Sequence, residues 1–457
     1  MAGIPFPGKK KVSDMTQGNI ARHLITFAFP LLLGNIFQQL YNTVDTWVVG
    51  NFASNEAFSA VGSVGPIINI LIGLFMGLST GAGAVISQFY GARHPEKVRE
   101  AVHTAITMTA ILSVVFTLVG TLFTPAMLRL MKMPDNVMPE AVTYLRIYFS
   151  GITGLMFYNM GSAILRAVGD STRPFYFLVV AALLNTVLDL LFVVGLRMGV
   201  AGVAWATIIA QGTSALLVVC TLLRSQDVIR LEIPRLRIHW NVLRKIFQVG
   251  IPAALQLAVT SFSNVFVQSY INFFGDHFMS GWTAYAKINQ LVILPMQSLS
   301  LAVTTFVGQN LGASQPQRAR RSVGIALGLS SGTAAMLMIP IWIFAPQLVG
   351  FFNPKAEVIH FGTQLLRIVS PFYLVYCVHD TLGGALRGAG NGRVPMTITL
   401  TCLVGFRQLY LFIMANYICN DVIPIAMSFP VGWILSSTLI VIYFCRTKLT
   451  NTRLVDA

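Results

Sequence analysis

The sequence has few charged residues. Only 10% of its 457 residues are Asp, Glu, Lys or Arg, and 55% are hydrophobic, whereas an ordinary soluble domain is about 25% charged. Apolar stretches recur from about Ile20 to Phe444, which predicts a polytopic membrane protein. The first apolar stretch is too long for the core of a secretory signal peptide, so we expect it to stay as the first span.

Cysteine pairs and the common enzyme motifs are also missing. The chain has five cysteines, and they lie in or beside apolar segments without a CxxC spacing, so they propose neither a disulfide framework nor a metal site. It contains no P-loop, nucleophile elbow or zinc motif, and ATP hydrolysis and enzyme activity are therefore unsupported. We expect no cofactor and no nucleic-acid partner.

Helices are the expected spanning elements, because lipid offers no hydrogen-bond partner to the backbone. The apolar segments are also too long for barrel strands. They predict twelve transmembrane helices, at residues 22–52, 57–88, 102–126, 140–165, 175–196, 200–223, 246–274, 281–310, 322–345, 359–386, 396–418 and 423–445.

Lysine and arginine are unequally divided between the two sets of connections. One set carries 23 of them, including Lys9, Lys10 and Lys11. The other set carries only four, which are Arg129, Lys132, Arg197 and Lys355. The positive-inside rule places the first set and both termini in the cytoplasm. The net charge of +15 is then mostly a topology signal facing anionic lipid, and we expect a bacterial inner or plasma membrane protein.

One phrase occurs twice in the chain. LRAVGDSTRP begins at Leu165 and LRGAGNGRVP begins at Leu386, 221 residues later. ISQFYGARHPEKV, from Ile86, and VGQNLGASQPQRA, from Val307, keep the same offset. The chain is therefore predicted to have two homologous six-helix lobes, 1–223 and 246–457, joined by a cytoplasmic loop at 224–245. Because six is even, both lobes enter the membrane in the same direction and are related by a pseudo-twofold axis along its normal.

Each copy of the LR…G…P phrase ends a predicted span. The glycine permits a turn and the proline starts the next helix in its first turn. We therefore expect two tight hairpins at the cytoplasmic side.

These motifs, together with FPLLLGNIFQQLYNTVDTWVVG near the start, resemble the multidrug and toxic compound extrusion (MATE) transporters over residues 20–445. The resemblance implies twelve helices in two lobes around a V-shaped cleft. It also implies export of amphipathic, often cationic compounds in exchange for H⁺ or Na⁺.

Two acidic residues of the first half lie deep within predicted spans, where a charge costs roughly 2.5–3.5 kcal/mol on insertion scales. Asp45 and Asp189 each lie seven residues before the outer end of a span, or about 10 Å deep. Thr207 reaches the same level from the sixth span, and Asn185 precedes Asp189 by one turn. These groups predict a cation-coupling pocket. The resemblance supports it, because one MATE branch has this set of residue types in its N-terminal lobe.

A structural role is the alternative, in which the two acids bond to helix ends or pair with Arg146. Two carboxylates in a partly dehydrated pocket cannot both ionise cheaply. The pocket can therefore take up a proton, or bind Na⁺ through carboxylate, amide and hydroxyl oxygens. We favour H⁺, with Na⁺ competing for the same four ligands, which are Asp45, Asp189, Asn185 and Thr207.

The second half departs from this pattern. Tyr410 occupies the position equivalent to Asp189, and the seventh span has no acid, so an ion site is not expected there. This half carries two intramembrane cations, Lys287 and Arg407, and an acid near the inner end of the tenth span, Asp380. Lys287 either pairs structurally or faces the cleft; for Arg407 we favour a structural role. The candidate substrate-binding residues are Gln38, Tyr41, Asn159, Lys287 and Arg407.

The sequence favours an all-α, cation-coupled antiporter that exports amphipathic small molecules. We expect a monomer embedded in the lipid bilayer. A lipid-linked precursor flippase of related architecture is the first alternative, because its cavity would be cationic. A channel is the second alternative, although no stretch resembles a selectivity filter.

Overall fold

The structure, a computed structural model, describes residues 14–131, 133–419 and 421–455 and, in these ranges, all side chains except those of Asn55 and Thr452. Lys9, Lys10, Lys11 and Lys132, used above for orientation, lie outside the described residues. The regular elements within these ranges are all helical.

The first half contains seven α-helices. They are α1 (Ile20–Phe52), α2 (Asn55–Gly91), α3 (Pro95–Leu130), α4 (Met138–Ser150), α5 (Ile152–Ala167), α6 (Thr172–Asp189) and α7 (Gly199–Arg224). A π-helical segment, Leu190–Gly195, continues α6.

The second half contains nine α-helices, some of which are parts of one span. They are α8 (Trp240–Asn272), α9 (Asp276–Gly312), α10 (Pro316–Ile343), α11 (Ala345–Phe352), α12 (Ala356–Val369), α13 (Tyr373–Gly388), α14 (Arg393–Thr399), α15 (Arg407–Ile413) and α16 (Val422–Arg446). π-helical turns join α14 to α15 and extend α15 to Ile418.

Eleven helical stretches of the described chain are long and apolar enough to cross a membrane. The predicted span that is not among these eleven is the fourth, at 140–165. It consists of two helices, α4 and α5, with a break at Gly151. A Cβ atom at Gly151 would lie 2.3 Å from Cβ of Ile208 on α7, so α7 packs closely against the break. The equivalent span of the second half is bent at the same place by a short 3₁₀ turn, Ser370–Phe372. The predicted twelve helices in two lobes are confirmed.

The two LR…G…P phrases form the same turn. Gly169 and Gly390 have φ angles of 95° and 98°, a left-handed conformation that glycine adopts without a steric cost. The residue after each glycine donates its backbone N–H to a carbonyl oxygen of the preceding helix. Asp170 donates to Leu165 (3.0 Å) and Asn391 donates to Leu386 (2.9 Å). The predicted hairpins are confirmed. We call the end of the bundle that carries them the basic end, and the other end the opposite end.

The lobes meet along α2 and α8 in the half of the membrane near the basic end. A Cβ atom at Gly77 would lie 2.2 Å from the backbone nitrogen of Ala254, and one at Gly81 would lie 2.5 Å from that of Gly250. Backbones can approach this closely only because small residues face each other. The contact closes the basic end.

Two glutamines join the lobes where these helices end. Gln88 on α2 donates a hydrogen bond to the carbonyl oxygen of Gly388 (2.9 Å), which ends α13 in the other lobe. Gln309 on α9 donates to the carbonyl oxygen of Ala167 (2.8 Å), which ends α5. All four groups are buried. The repeated motifs of the sequence therefore bond to each other across the lobe boundary.

Two segments outside the long helices, which we call straps, bond to the same two glutamines. The backbone N–H of Met15 donates to Oε1 of Gln309 (3.3 Å), and Met15 packs in an apolar cluster formed by the start of α1 and the second lobe. The backbone N–H of Leu454 donates to Oε1 of Gln88 (2.8 Å), and Leu454 packs in an apolar cluster formed by the first lobe and the start of α8. Each of these two straps, at residues 14–18 and 453–455, thus bonds to the glutamine of the lobe to which it does not belong, while Asp14 and Arg453 also contact their own lobes.

Towards the opposite end the lobes separate. Asn35 on α1 donates to the hydroxyl of Ser298 on α9 (3.3 Å), and beyond this level the residues on the facing sides of the two helices are exposed. Asn42 and Thr46 continue the Asn35 face at intervals of two and three turns. A cleft therefore opens from the middle of the bundle to the opposite end.

Candidate functional site

Asp45 and Asp189 come together inside the first lobe. Asp189 is the last residue of α6 and is fully buried, while Asp45 on α1 is half-buried. Their carboxyl groups lie within hydrogen-bonding reach of each other. The structure thus brings together the two groups that the depth estimate from the sequence predicted at one level.

Neither carboxyl group has a positively charged partner among the residues that the structure describes. Oδ1 of Asp45 and both oxygens of Asp189 are buried and accept no hydrogen bond from an N–H or O–H group of the described chain. Arg146, the alternative partner, is exposed and forms no ion pair with a described acid. Two buried oxygen acceptors that face each other are satisfied only when a proton or a cation lies between them.

Asn185 and Thr207 lie on the helices around this pair. Asn185 precedes Asp189 by one turn and is buried, and neither its amide oxygen nor its amide nitrogen has a hydrogen-bond partner among the described residues. Thr207 on α7 is buried and donates to the backbone carbonyl of Val203 (2.9 Å). It makes no hydrogen bond to either carboxyl group within the described ranges, so its oxygen can act only as an acceptor towards a cation.

The helix that carries Asp189 changes its winding directly after it. Residues Leu190–Gly195 are π-helical, and π-helical turns are frequent at functional sites because they leave the backbone register less firmly fixed. Asp189 therefore lies at the junction between an α-helix and a π-helical segment.

A tyrosine cluster surrounds the two acids, of which the sequence analysis named Tyr41 as a candidate substrate-binding residue and missed Tyr144 and Tyr148. Tyr41 is hydrogen-bonded to Gln38 and lies near Asp45. Tyr144 lies near both acids and stacks on Tyr148 with ring centroids 6.3 Å apart. The i, i+4 spacing of Tyr144 and Tyr148 in the fourth predicted span was the available signal, because it places both rings on one helix face.

The remaining candidate of the first lobe, Asn159, bonds to its own helix. Its amide nitrogen donates to the carbonyl of Leu155 (2.8 Å), and the side chain is half-buried on α5. The geometry does not join it to the acid pair.

Lys287 is exposed on α9 and forms no ion pair with any described acid. It lies eleven residues, or three turns, from Ser298. Its Cα therefore lies on the helix face that contacts α1 at Asn35. Of the two possibilities for Lys287, the structure favours the cleft-facing one.

Arg407 is buried on α15, with 3% of its surface exposed. One of its terminal nitrogens donates to the hydroxyl of Ser263 (2.7 Å) and to the amide oxygen of Asn264 (2.9 Å), both on α8. Its guanidinium group stacks over Phe429 at 4.8 Å. These bonds fasten α15 to α8, which fits the structural role favoured above.

Asp380 lies on α13 beside a base of the same helix. Arg387, two turns further on, interacts electrostatically with it, and one nitrogen of Arg387 donates to the hydroxyl of Ser300 at 3.4 Å. This acid has a positive neighbour, whereas Asp45 and Asp189 have none.

Comparisons with known proteins bear on what such a site serves. The MatE family profile matches residues 30–191 and 252–413, which are two segments 222 residues apart and agree with the internal repeat. The chain is 32% identical to "Probable multidrug resistance protein YpnP" of Bacillus subtilis (strain 168) over 83% of its length and 85% of that protein. It is 27% identical to "Probable multidrug resistance protein YoeA" of the same organism, covering 96% of this chain and 97% of that one.

A solved structure has the same fold. It is described as "Outward-facing conformation of a multidrug resistance MATE family transporter of the MOP superfamily". It superposes with a TM-score of 0.90 at 23% identity, over 98% of this chain and 99% of that one.

Proposed function

The chain belongs to the MatE family of multi-pass membrane transporters, and we propose that it exports amphipathic small molecules in exchange for a cation bound between Asp45 and Asp189. The family consists of transporters and not enzymes. The coupling ion and the exchange are the parts that we propose.

The observation that supports the coupling site is the buried acid pair without a counter-ion. A charge within a membrane protein is costly unless it is paired, and the two carboxyl groups face each other in place of a base. Such a pair binds a cation and loses it as its surroundings change, which is what coupling requires.

We favour H⁺ as the coupling ion. A hydrogen bond between two carboxyl groups requires one of them to carry a proton, so a single proton is enough to join the pair. Na⁺ prefers several oxygen ligands at fixed distances. The described oxygens that could serve come from Asn185 and Thr207 besides the acids, so Na⁺ competes for the same pocket.

We propose that the basic end is cytoplasmic, because it carries most of the lysine and arginine in the connections. The lobes are in contact at the basic end and apart at the opposite end. With this orientation the cleft opens outward, so this is the state that releases substrate and loads the ion. Loading neutralises the acid pair and lets α1 and α6 repack around the π-helical segment, so that the cleft can close.

The test is export from membrane vesicles with each gradient imposed separately. A pH gradient without Na⁺ is expected to drive export of a fluorescent amphiphile, and Asp189→Asn is expected to stop it. If a Na⁺ gradient alone drives export and a pH gradient does nothing, the proton assignment is wrong. If neither gradient drives export in the wild-type chain, coupled antiport itself is wrong.

A flippase for lipid-linked precursors is the second candidate, and the unpaired Lys287 in the cleft favours it. Such a substrate carries phosphate groups that an ammonium group binds. A channel has no such support, because the closed basic end interrupts any continuous pore.

A further inference from the structure

We infer that the cleft recognises an anionic group, a carboxylate or a phosphate, on its substrate, and that Lys287 binds that group. This inference rests on the proposed function as an exporter and names the substrate class of its cleft. It differs from the amphipathic, often cationic compounds that the resemblance implied.

The position of Lys287 follows from one cross-lobe contact. Asn35 and Ser298 touch where the cleft begins. Thr46 lies eleven residues beyond Asn35 on α1, and Lys287 lies eleven residues from Ser298 on α9. Because the helices run in opposite directions, both offsets lead about 16 Å towards the opposite end. Thr46 and Lys287 therefore continue the two faces that meet at the bottom of the cleft.

The exposed surface of α9 near Lys287 has the character of a water-lined wall. Thr283, Gln290 and Gln297 are exposed on the same helix within the membrane-spanning stretch, together with one large apolar residue, Leu291. By comparison, the exposed residues in the middle of α3 are apolar, which suits contact with lipid; they are Ile111, Val114, Val115, Leu118, Val119, Leu122 and Phe123. Polar residues facing lipid would be costly, so this part of α9 lines the cleft.

No described acid forms an ion pair with Lys287. Gly73 on α2 lies against Leu257 on α8. Further out, the exposed and half-buried residues of these two helices include the uncharged polar side chains of Ser59, Ser63, Asn69, Ser261 and Gln268, and Glu56 is exposed at the start of α2. Asp45 is the acid at the level of Lys287, and its carboxyl group is engaged with Asp189 inside the first lobe.

An exposed ammonium group without an internal partner suits an exchangeable anionic ligand. Its flexible stem can follow a ligand of variable shape, and its three donors can bond to carboxylate or phosphate oxygens. Thr283 and Gln290 lie four residues before it and three after it, on the same helix face. The amide nitrogen of Gln290 can donate a further hydrogen bond to the same anionic group, whereas the hydroxyl of Thr283 already donates to the carbonyl oxygen of Met279 (2.9 Å).

The test compares two dyes that share a xanthene scaffold, the anionic 5-carboxyfluorescein and the cationic rhodamine 6G. Their binding to the purified full chain in phosphatidylcholine nanodiscs is measured by fluorescence anisotropy. Lys287→Met is expected to weaken carboxyfluorescein binding about tenfold or more and to leave rhodamine 6G binding unchanged or stronger. Lys287→Arg is expected to retain the anionic dye.

Lys355→Met is the matched control, because Lys355 is exposed at the opposite end, just before α12 and outside the cleft. It should bind both dyes as the wild-type chain does. No binding of carboxyfluorescein to the wild-type chain, equal binding to Lys287→Met, or equal loss in Lys355→Met would overturn the inference.

Two further measurements are made. The first distinguishes a lipid headgroup from a soluble anion as the source of the anionic group, and the second distinguishes this inference from the proposed ion coupling. Phosphatidylglycerol in the nanodisc competes with carboxyfluorescein if a lipid headgroup is the natural source, and does not compete if the source is a soluble anion. The Asp189→Asn variant should still bind carboxyfluorescein. Failure of ion-driven export with intact, Lys287-dependent dye binding would contradict the proposed coupling and leave this inference standing.

Discussion

Gln88 and Gln309 are equivalent residues of the two halves, and each donates a hydrogen bond to a helix end in the lobe that contains the other. Each also accepts one bond from a strap, from Leu454 and Met15 respectively. Both amides are buried with their partners. Opening of the basic end must break the two bonds that join helices of different lobes, so the two glutamines form a symmetric latch.

The latch predicts that Gln88→Ala combined with Gln309→Ala favours opening of the basic end. Each lost bond is worth about 0.5–1.5 kcal/mol, so the open population should rise roughly tenfold or more. The measurement is a double electron–electron resonance distance between spin labels at Lys97 and Arg320, which are exposed near the basic end of each lobe.

Gln315→Ala is the control for the latch. Gln315 lies at the same end, directly before α10, and makes no side-chain cap hydrogen bond. The distribution of spin-label distances in the Gln315→Ala variant should match that of the wild-type chain. An unchanged distribution in the double variant would show that the glutamines do not hold the end closed.

The acid pair predicts that Asp45→Asn and Asp189→Asn fold normally and lose coupled export. The amide cannot exchange a proton, so coupling should fall by about 5- to 150-fold, the range of typical coupling free energies. Export of a fluorescent amphiphile from proteoliposomes under a pH gradient measures it, with size-exclusion chromatography as the test of folding. Asp276→Asn, at the exposed start of α9, should export normally. Wild-type exchange by either pocket variant would contradict the coupling role.

Asn185→Ala and Thr207→Ala are expected to lose less export than the aspartate variants. Both residues contribute neutral oxygens, and a water molecule replaces a neutral oxygen more readily than a charge. The same proteoliposome assay ranks all four variants. A loss for Thr207→Ala as large as that for Asp189→Asn would mean that Thr207 binds the ion directly, which would favour Na⁺.

The lobe contact predicts that Gly81→Ala destabilises the closed state or the fold. The added methyl group would lie 2.5 Å from backbone atoms of Ile246 and Gly250, and overpacking of this kind costs about 1–3 kcal/mol. Gly62→Ala is the control on the same helix, because a Cβ atom there has no atom within 4 Å. Thermal unfolding in detergent compares the two. Equal melting temperatures would contradict the close contact.

The fold could be predicted from the sequence because its signals are local and repeated. Hydrophobic length gave the spans, and the 221-residue offset gave the two lobes. The break in the fourth span could not be predicted, since it depends on how closely Ile208 approaches Gly151, and that is a tertiary contact. The closed end could not be predicted either, because the two lobes present similar motifs to each other in any state of the cycle.

The site was predicted in part. Helix spacing brought Asp45 and Asp189 to one depth, and the structure brings their side chains together. It does not bond Thr207 to them. Tyr144 and Tyr148 were missed because their spacing places both rings on one helix face but does not indicate that this face lies against acids on two other helices.

The crossed straps have a consequence for the order in which the protein can be made. During synthesis the first lobe leaves the ribosome long before residues 453–455, whose backbone occupies Oε1 of Gln88. Until then Oε1 of Gln88 lacks the hydrogen bond from Leu454. The backbone N–H of Met15 likewise lacks its acceptor until Gln309 has been made. The full set of bonds at the two glutamines can therefore form only after the whole chain is made, and two separately expressed halves can form it only by associating.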